Sequence, residues 1–289
     1  MAGSNKTVVL CKGLSEKNDR QEKYIEMLAL AGYSCECLQT LRFEFVNISE
    51  LRAYLSVADR YSGKYYIIST IIKCVCHRFL LIAGLILTSP RTVEAVTLAV
   101  KEDTSILRHW KQMPAYCVGS ATDSLARSQL NLQNCIGSQT GNSKQLAEKI
   151  VLDVKRDSKP LLYPCSEIAR ETIQSIVEDS GISIEKIVVY RTLESETLEQ
   201  ELPKILAKSS PSILVFFSPS TVEYITVQLK RSFYSVKDIK AVAIGPVTRD
   251  ALINSGFNVY ATADKPEPVA LMRAITAAEF VENLNKSIS

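Results

Sequence analysis

Leu87-Thr88-Ser89-Pro90-Arg91-Thr92-Val93-Glu94-Ala95-Val96 returns further along the chain as Phe216-Phe217-Ser218-Pro219-Ser220-Thr221-Val222-Glu223-Tyr224-Ile225. Downstream of the first copy lies Ala115-Tyr116-Cys117-Val118-Gly119-Ser120-Ala121-Thr122, and downstream of the second Ala241-Val242-Ala243-Ile244-Gly245-Pro246-Val247-Thr248. Each stretch reads as a buried strand, a turn of small residues and a helix start. The repetition implies two similar lobes, and a cleft between lobes is a preferred place for a ligand.

Apolar strand-like runs alternate with segments of helical period around these copies. Strands are expected at Thr7 to Cys11, Leu85 to Leu87, Ala115 to Val118, Pro160 to Pro164, Ile187 to Thr192, Ser212 to Phe217, Ala241 to Ile244 and Asn258 to Ala261. Helices are expected at Gln21 to Ala31, Ile48 to Val57, Arg91 to Val100, Ser143 to Val151, Ile168 to Asp179, Glu196 to Ala207, Val247 to Ser255 and Pro268 to Phe280, with others starting near Thr122 and Ser220. Such alternation predicts an α/β fold of two doubly wound parallel sheets. Cys35 to Val46 reads as an extended connector, and Glu282 to Ser289 as a frayed polar tail. Ser89 and Ser218 lie 129 residues apart, less than the offset between Thr7 to Lys12 and Leu161 to Cys165, so the first lobe carries about 25 extra residues.

The 289 residues suit two domains of ordinary size, and 46% hydrophobic with 22% charged residues is a globular composition. A net charge of +3, without an arginine-rich run, does not argue for nucleic acid, and no such partner is expected. The eight cysteines are scattered and several sit in apolar runs, which reads as reduced thiols. Met1 to Lys6 is too polar for a signal peptide, so the expected location is the cytoplasm. Tyr65 to Leu87 has the length of a membrane span, but Lys73, His77 and Arg78 near its middle argue against one.

No standard catalytic set appears. Two histidines, His77 in an apolar block and His109 beside Trp110 on a surface helix, make a histidine triad or zinc site a poor reading. Cys74-Val75-Cys76-His77 has no second half-site, so no metal is expected. Without a Walker or Gly-x-Gly-x-x-Gly motif, no nucleotide cofactor is expected either.

The repeated turns remain. Function gathers at the carboxyl ends of the strands in an open parallel sheet. Thr88-Ser89-Pro90, Gly119-Ser120-Ala121-Thr122, Ser218-Pro219-Ser220 and Gly245-Pro246-Val247-Thr248 all lie there. Each puts backbone N–H groups and a hydroxyl at a helix N-terminus, which suits an anion. Plain helix capping by Ser and Thr explains the same residues. Both readings stand at this point.

The same turns, with Leu161-Leu162-Tyr163-Pro164-Cys165 and Ile187-Val188-Val189-Tyr190-Arg191-Thr192, resemble the uroporphyrinogen-III synthase family. The run Ile239 to Thr248 carries the resemblance furthest, continuing into Thr262-Ala263-Asp264-Lys265-Pro266-Glu267-Pro268. Leu41-Arg42-Phe43-Glu44-Phe45 and Thr88-Ser89-Pro90-Arg91 are similar to the family as well. The resemblance implies two flavodoxin-like lobes joined by an antiparallel pair of linker strands, near Leu38 to Phe45 and Ile187 to Thr192. One lobe would be residues 1–38 plus 193–280, the other 46–186, and 281–289 a flexible tail. This swaps the first strand–helix unit of the two sequential halves that the repeat alone suggests.

The family's substrate is hydroxymethylbilane, a linear tetrapyrrole carrying many carboxylates, which is dehydrated and cyclised through a spiro intermediate with ring D inverted. By resemblance Tyr190 is the general acid, since a phenol is protonated at neutral pH and can donate to a leaving hydroxyl. Thr122 and Thr248 would hold substrate carboxylates, with Thr88, Ser89, Gly119, Ser120, Ser218, Pro219, Ser220, Gly245 and Pro246. Arg91, Arg170 and Lys240 are candidate partners for carboxylates, or solvated surface charges. Val247 stands where many members have a second threonine. The expected protein is a monomer without a cofactor, in transient contact with the preceding bilane-forming enzyme. A non-catalytic two-lobe binding protein for an anionic ligand is the alternative; a structural or docking protein, with the apolar block as its docking surface, is a third reading.

One block departs from the family pattern. Tyr61-Ser62-Gly63 and Gly84-Leu85-Ile86-Leu87 would join smoothly without residues 63–83. Gly63-Lys64-Tyr65 can be encoded by a splice-donor consensus, and Phe79 to Gly84 by a pyrimidine-rich stretch ending in an acceptor AG. The block reads as a retained in-frame intron, the alternative being a real insertion. Transcript sequencing is expected to show predominant messages that lack it; predominant messages that include it overturn the intron reading.

Overall fold

The computed structural model describes residues 6–13, 19–57, 82–156, 158–208 and 213–288. In chain order the elements are β1 (Thr7–Lys12), α1 (Asp19–Leu30), β2 (Ser34–Gln39), β3 (Leu41–Phe45), α2 (Ile48–Val57), β4 (Gly84–Leu87) and α3 (Pro90–Ala99). They continue with β5 (Ala115–Cys117), α4 (Gly119–Leu130), β6 (Cys135–Ile136), α5 (Ser143–Asp153), β7 (Leu161–Ser166), α6 (Thr172–Asp179) and β8 (Ile184–Glu194). The last are α7 (Leu198–Lys208), β9 (Ile213–Phe216), α8 (Pro219–Arg231), β10 (Lys240–Ala243), α9 (Pro246–Asn254), β11 (Val259–Thr262) and α10 (Pro268–Ile288). The chain divides into two compact units, Met1–Arg42 with Leu193–Ser289, and Phe43–Thr192.

The discontinuous unit holds a five-stranded sheet in the order β11-β10-β9-β1-β2, parallel throughout. Val8 to Cys11 and Ile213 to Phe216 are buried at every position, as central parallel strands must be. Alternate residues serve opposite faces. Val9, Cys11, Leu214, Phe216, Ala241 and Ala243 pack on Leu198 and Leu202 of α7 and Val222, Ile225 and Leu229 of α8. Val8, Leu10, Ile213, Val215 and Val242 face Tyr24 and Leu28 of α1 and Leu271 and Ile275 of α10.

The continuous unit has the order β3-β8-β7-β4-β5-β6. Its strands β4 to β8 are parallel. Leu85, Leu87, Ala115, Cys117 and Leu162 pack on α2, α3 and α4, while Ile86, Tyr116, Leu161, Tyr163 and Cys165 pack on α5 and α6. At the head of β4 a Cβ on Gly84 would meet the Pro114 carbonyl oxygen at 2.6 Å, so only glycine fits there.

The two sheets share one spatial order. Taken as first to fifth, β1, β2, β9, β10 and β11 run second-first-third-fourth-fifth, and β7, β8, β4, β5 and β6 do the same. The order reverses between β1 and β9 and between β7 and β4, and such switch points are where doubly wound sheets hold ligands. In each unit the Ser-Pro turn follows the third strand and the Gly turn the fourth. The continuous unit is thus a circularly permuted copy of the other.

β3 and β8 are neighbours. Ser195 N–H donates to Thr40 O (3.2 Å) and Val46 N–H to Val189 O (3.0 Å). The partner number falls as β3 advances, so these strands run antiparallel. The expected connector from Cys35 to Val46 is therefore two strands, one at the edge of each sheet. The sixth helix starts at Thr172 rather than Ile168, because Ser166 Oγ accepts Ile168 N–H (3.3 Å) and holds a turn after β7. Trp110 is no surface residue: it is 1% exposed and donates to Leu55 O (2.9 Å). Of the apolar block, residues 63–81 lie outside the described residues; Ala83 N–H already bonds Pro160 O (2.8 Å).

The frayed tail is also corrected. Helix α10 continues to Ile288, and Glu282 accepts from Lys240 Nζ (2.5 Å), Lys286 Nζ (2.7 Å) and Tyr260 OH (2.9 Å). Those hydrogen bonds, Lys240's first, pull the Glu282 carboxyl down to about 2 from 4.5. A depressed native carboxyl contributes stability that is present above the unfolded value and lost as pH falls toward the native one. Glu282→Gln is expected to lower Tm at pH 7 by about 1–3 °C. It should also flatten the stability slope between roughly pH 4.5 and 2, read by thermal melts across that range.

Candidate active site

Ser89 and Ser218 are the N-caps of α3 and α8. Ser89 Oγ accepts Thr92 N–H (3.4 Å), Thr92 Oγ1 accepts Ser89 N–H (3.4 Å), and Thr92 Oγ1 donates to Ser89 O (2.6 Å). Ser218 Oγ accepts Thr221 N–H (3.3 Å). Pro90 and Pro219 follow at the first helical position, where a fixed φ and a missing N–H do no harm. The capping reading holds for both Ser-Pro turns, at about 1 kcal/mol each.

The Gly turns differ. Val118 caps α4 and Gly245 caps α9, neither with a side-chain hydrogen bond, so first-turn N–H groups stay open to a ligand. Gly119 has φ +73°, a left-handed backbone that selects glycine. Thr122 is 2% and Thr248 4% exposed, yet among the described residues neither hydroxyl has a hydrogen-bond partner. Neither oxygen belongs to the sealed unsatisfied atoms. Each oxygen therefore keeps access to solvent although its residue is nearly buried. Two such hydroxyls stand at matching positions of the repeat.

Tyr190, 9% exposed, stands opposite Ser166 at the carboxyl end of β7. Its OH lies 3.2 Å from Ser89 Oγ. Phe43 on β3 meets the Tyr190 ring edge-on, with centroids 6.1 Å apart at 73°. The Arg91 guanidinium lies 4.2 Å above the Phe43 ring and pairs with Glu94. Burial first, then Cys165, pushes the Tyr163 phenol up to about 12, against a lowering hydrogen bond to Thr88. Thr88, Ser89, Arg91, Tyr163 and Tyr190 thus form one cluster, reached from β4, β7 and β8. Phe43 and Tyr163 were not singled out in the sequence; Phe43's signal was its place in the linker segment Leu41 to Phe45.

The other expected residues are placed as follows. Ser120 and Pro219 are exposed, Ser220 and Pro246 stand at the starts of α8 and α9, and Arg170 is exposed just after β7. Val247 is 57% exposed. Lys240 opens β10 at the amino end, opposite Gly245, and is held by Glu282 and the Tyr260 ring (4.9 Å). Cys117, Asp123 and Cys135 have ligand atoms within 4.8 Å of one another. Arg127 Nε donates to the Asp123 carboxylate (2.8 Å), so a guanidinium supplies the positive charge a cation would bring there.

Two flavodoxin-ordered sheets, each with a capped Ser-Pro turn beside its switch point and a Gly turn without a side-chain cap one strand further on, define a class of two-lobe doubly wound α/β proteins. A family profile described as "Uroporphyrinogen-III synthase HemD" matches residues 71–273. The uroporphyrinogen-III synthase of Schizosaccharomyces pombe is 28% identical over 278 residues, covering 94% of this chain and 97% of that one. Two solved structures share the fold. Uroporphyrinogen-III synthetase of Helicobacter pylori has a TM-score of 0.58 at 17% identity, over 95% of this chain and 99% of that one. A mutant uroporphyrinogen III synthase of Thermus thermophilus has 0.54 at 16%, over 95% and 98%. The chain belongs to the uroporphyrinogen-III synthase family, cyclising lyases of haem biosynthesis.

Replacing an unpaired buried hydroxyl by a methyl of the same shape is nearly neutral or stabilising for the fold. Thr122→Val and Thr248→Val are each expected to leave Tm unchanged or raised while lowering turnover about tenfold or more, as loss of a ligand-facing hydroxyl does. Melts and a cyclisation assay on the same preparations check this. A drop in Tm with full turnover would mark both threonines as fold residues.

Proposed function

We propose that this chain converts hydroxymethylbilane to uroporphyrinogen III, with Tyr190 as the proton donor. The observation that carries the reading is the Tyr190 hydroxyl, held 3.2 Å from Ser89 at the carboxyl ends of β4 and β7. Family membership supplies the substrate class; the chemistry follows from the residues present.

The ring A hydroxyl leaves as water once Tyr190 donates its proton, while the pyrrole nitrogen's electron pair forms the azafulvene. The substituted carbon of ring D attacks that electrophile and gives the spiro intermediate, which fragments and recloses with ring D inverted. The proton lost on rearomatisation restores the phenol. Thr122, Thr248 and the open N–H groups of the Gly turns hold acetate and propionate groups, with Ser120, Ser220 and Arg170 at their margins. Positioning supplies much of the selectivity, because the bilane closes unaided to isomer I. In this reading the protein acts as a monomer in the cytoplasm on bilane handed over by the enzyme that forms it. Among the described residues no helix is long and apolar enough to cross a membrane.

The test generates hydroxymethylbilane in situ and resolves the uroporphyrin isomers after oxidation. Predominant isomer III is expected, and Tyr190→Phe should lower turnover roughly 10²-fold with little change in Tm. Isomer I alone, from both the full chain and a variant lacking residues 63–83, would leave a non-catalytic binding protein. Full activity in Tyr190→Phe would remove Tyr190 from the mechanism.

A further inference from the structure

We infer that Ser89 is a positioning residue for Tyr190: its hydroxyl donates to the Tyr190 oxygen and leaves the phenolic hydrogen free for the substrate. The inference rests on the reading of Tyr190 as the acid.

Hydrogen placement decides the direction. Ser89 Oγ already accepts Thr92 N–H, and the Thr92 hydroxyl hydrogen goes to Ser89 O. The one remaining hydrogen of the pair belongs to Ser89 Oγ, and among the described residues its acceptor within reach is Tyr190 Oη, at 3.2 Å. Were Tyr190 the donor, the phenolic hydrogen would be engaged and the serine hydrogen would have no acceptor among the described residues. The neighbouring charged groups are engaged elsewhere: Glu167 pairs with Arg191 (3.0 Å), and Arg91 pairs with Glu94 while covering Phe43. Phe43 fixes the ring by its edge-to-face contact, so the oxygen is held from one side and the ring from another.

The repeat separates this role from capping. Ser218 caps α8 with the same backbone geometry, its Oγ lying 3.0 Å from Thr221 Oγ1, and its cap is complete without a tyrosine. The Tyr190 contact is therefore additional to the cap at Ser89. When the phenol gives up its hydrogen, the Ser89 hydrogen bond becomes charge-assisted and strengthens. An interaction that strengthens only as the reaction proceeds raises kcat and leaves KM alone.

The experiment uses the full chain with tyrosine labelled by carbon-13 at Cζ, the Tyr190 signal being the one lost in Tyr190→Phe. Ser89→Ala is expected to shift that signal and lower kcat about tenfold or more with KM within about twofold. Ser89→Thr should restore both. Ser89→Gly, which keeps most of an N-cap, provides the same test should Ser89→Ala fold poorly. Ser218→Ala removes the matching cap and should leave the Tyr190 signal in place. An unmoved signal in Ser89→Ala and Ser89→Gly, or an unchanged kcat while Tyr190→Phe is slow, overturns the role of Ser89 alone. Wild-type kcat in Tyr190→Phe overturns the assignment of the acid, and this inference with it.

Discussion

Parallel pairing governs this molecule. A parallel strand cannot reach its neighbour through a tight hairpin, so the chain crosses back outside the sheet, mostly as helix. Helices then cover both faces, which forces the central strands to be apolar throughout, as Val8 to Cys11 and Ile213 to Phe216 are. Polar side chains are left only the strand ends. Because the five doubly wound strands of each sheet point one way, the turns that start helices gather at one edge of that sheet, and the reversal in strand order opens a gap beside the Ser-Pro turn. The hydroxyl-bearing turns are placed by this constraint, before any chemistry is asked of them.

The permutation explains how two similar units differ. In the continuous unit the second strand is β8, which runs eleven residues from Ile184 to Glu194; its counterpart β2 has six. β7 pairs with β8 only as far as Tyr190, opposite Ser166, so the extra length carries a tyrosine to the carboxyl edge and on into the pairing with β3. β2 offers no equivalent reach. The asymmetry in length is thus an asymmetry in chemistry: each Ser-Pro turn has its threonine, Thr92 or Thr221, and the turn at Ser89 has a phenol beside it as well.

What the sequence revealed was local. The Ser-Pro and Gly turns could be read because a cap is decided within four residues, as with Ser89 and Thr92. The parallel sheets could be read because burial on both faces leaves unbroken apolar runs. Lys240 was misplaced because its partner Glu282 lies 42 residues away, and nothing near Lys240 signals that pairing. The same partner made the last turns of α10 look like a loose tail, since polar residues bound over a distance read like solvated ones. β2 was hidden by its composition: Ser34 to Gln39 alternates polar with apolar residues at a sheet edge and lacks the signature of a central strand. The strand order itself could not be seen without the resemblance, because a permuted copy preserves every local pattern and changes only which strands meet.

Gly84 has a bearing on the genetics of the chain. The Pro114 carbonyl leaves no room for a side chain at the residue that precedes Leu85 in β4. The apolar block happens to begin and end beside glycines, Gly63 and Gly84. Excising residues 63–83 or 64–84 therefore yields one and the same polypeptide, with Ser62 followed by a glycine and then Leu85. A junction displaced by one codon in this window is silent at the protein level, and the steric demand of β4 is met on either side of it.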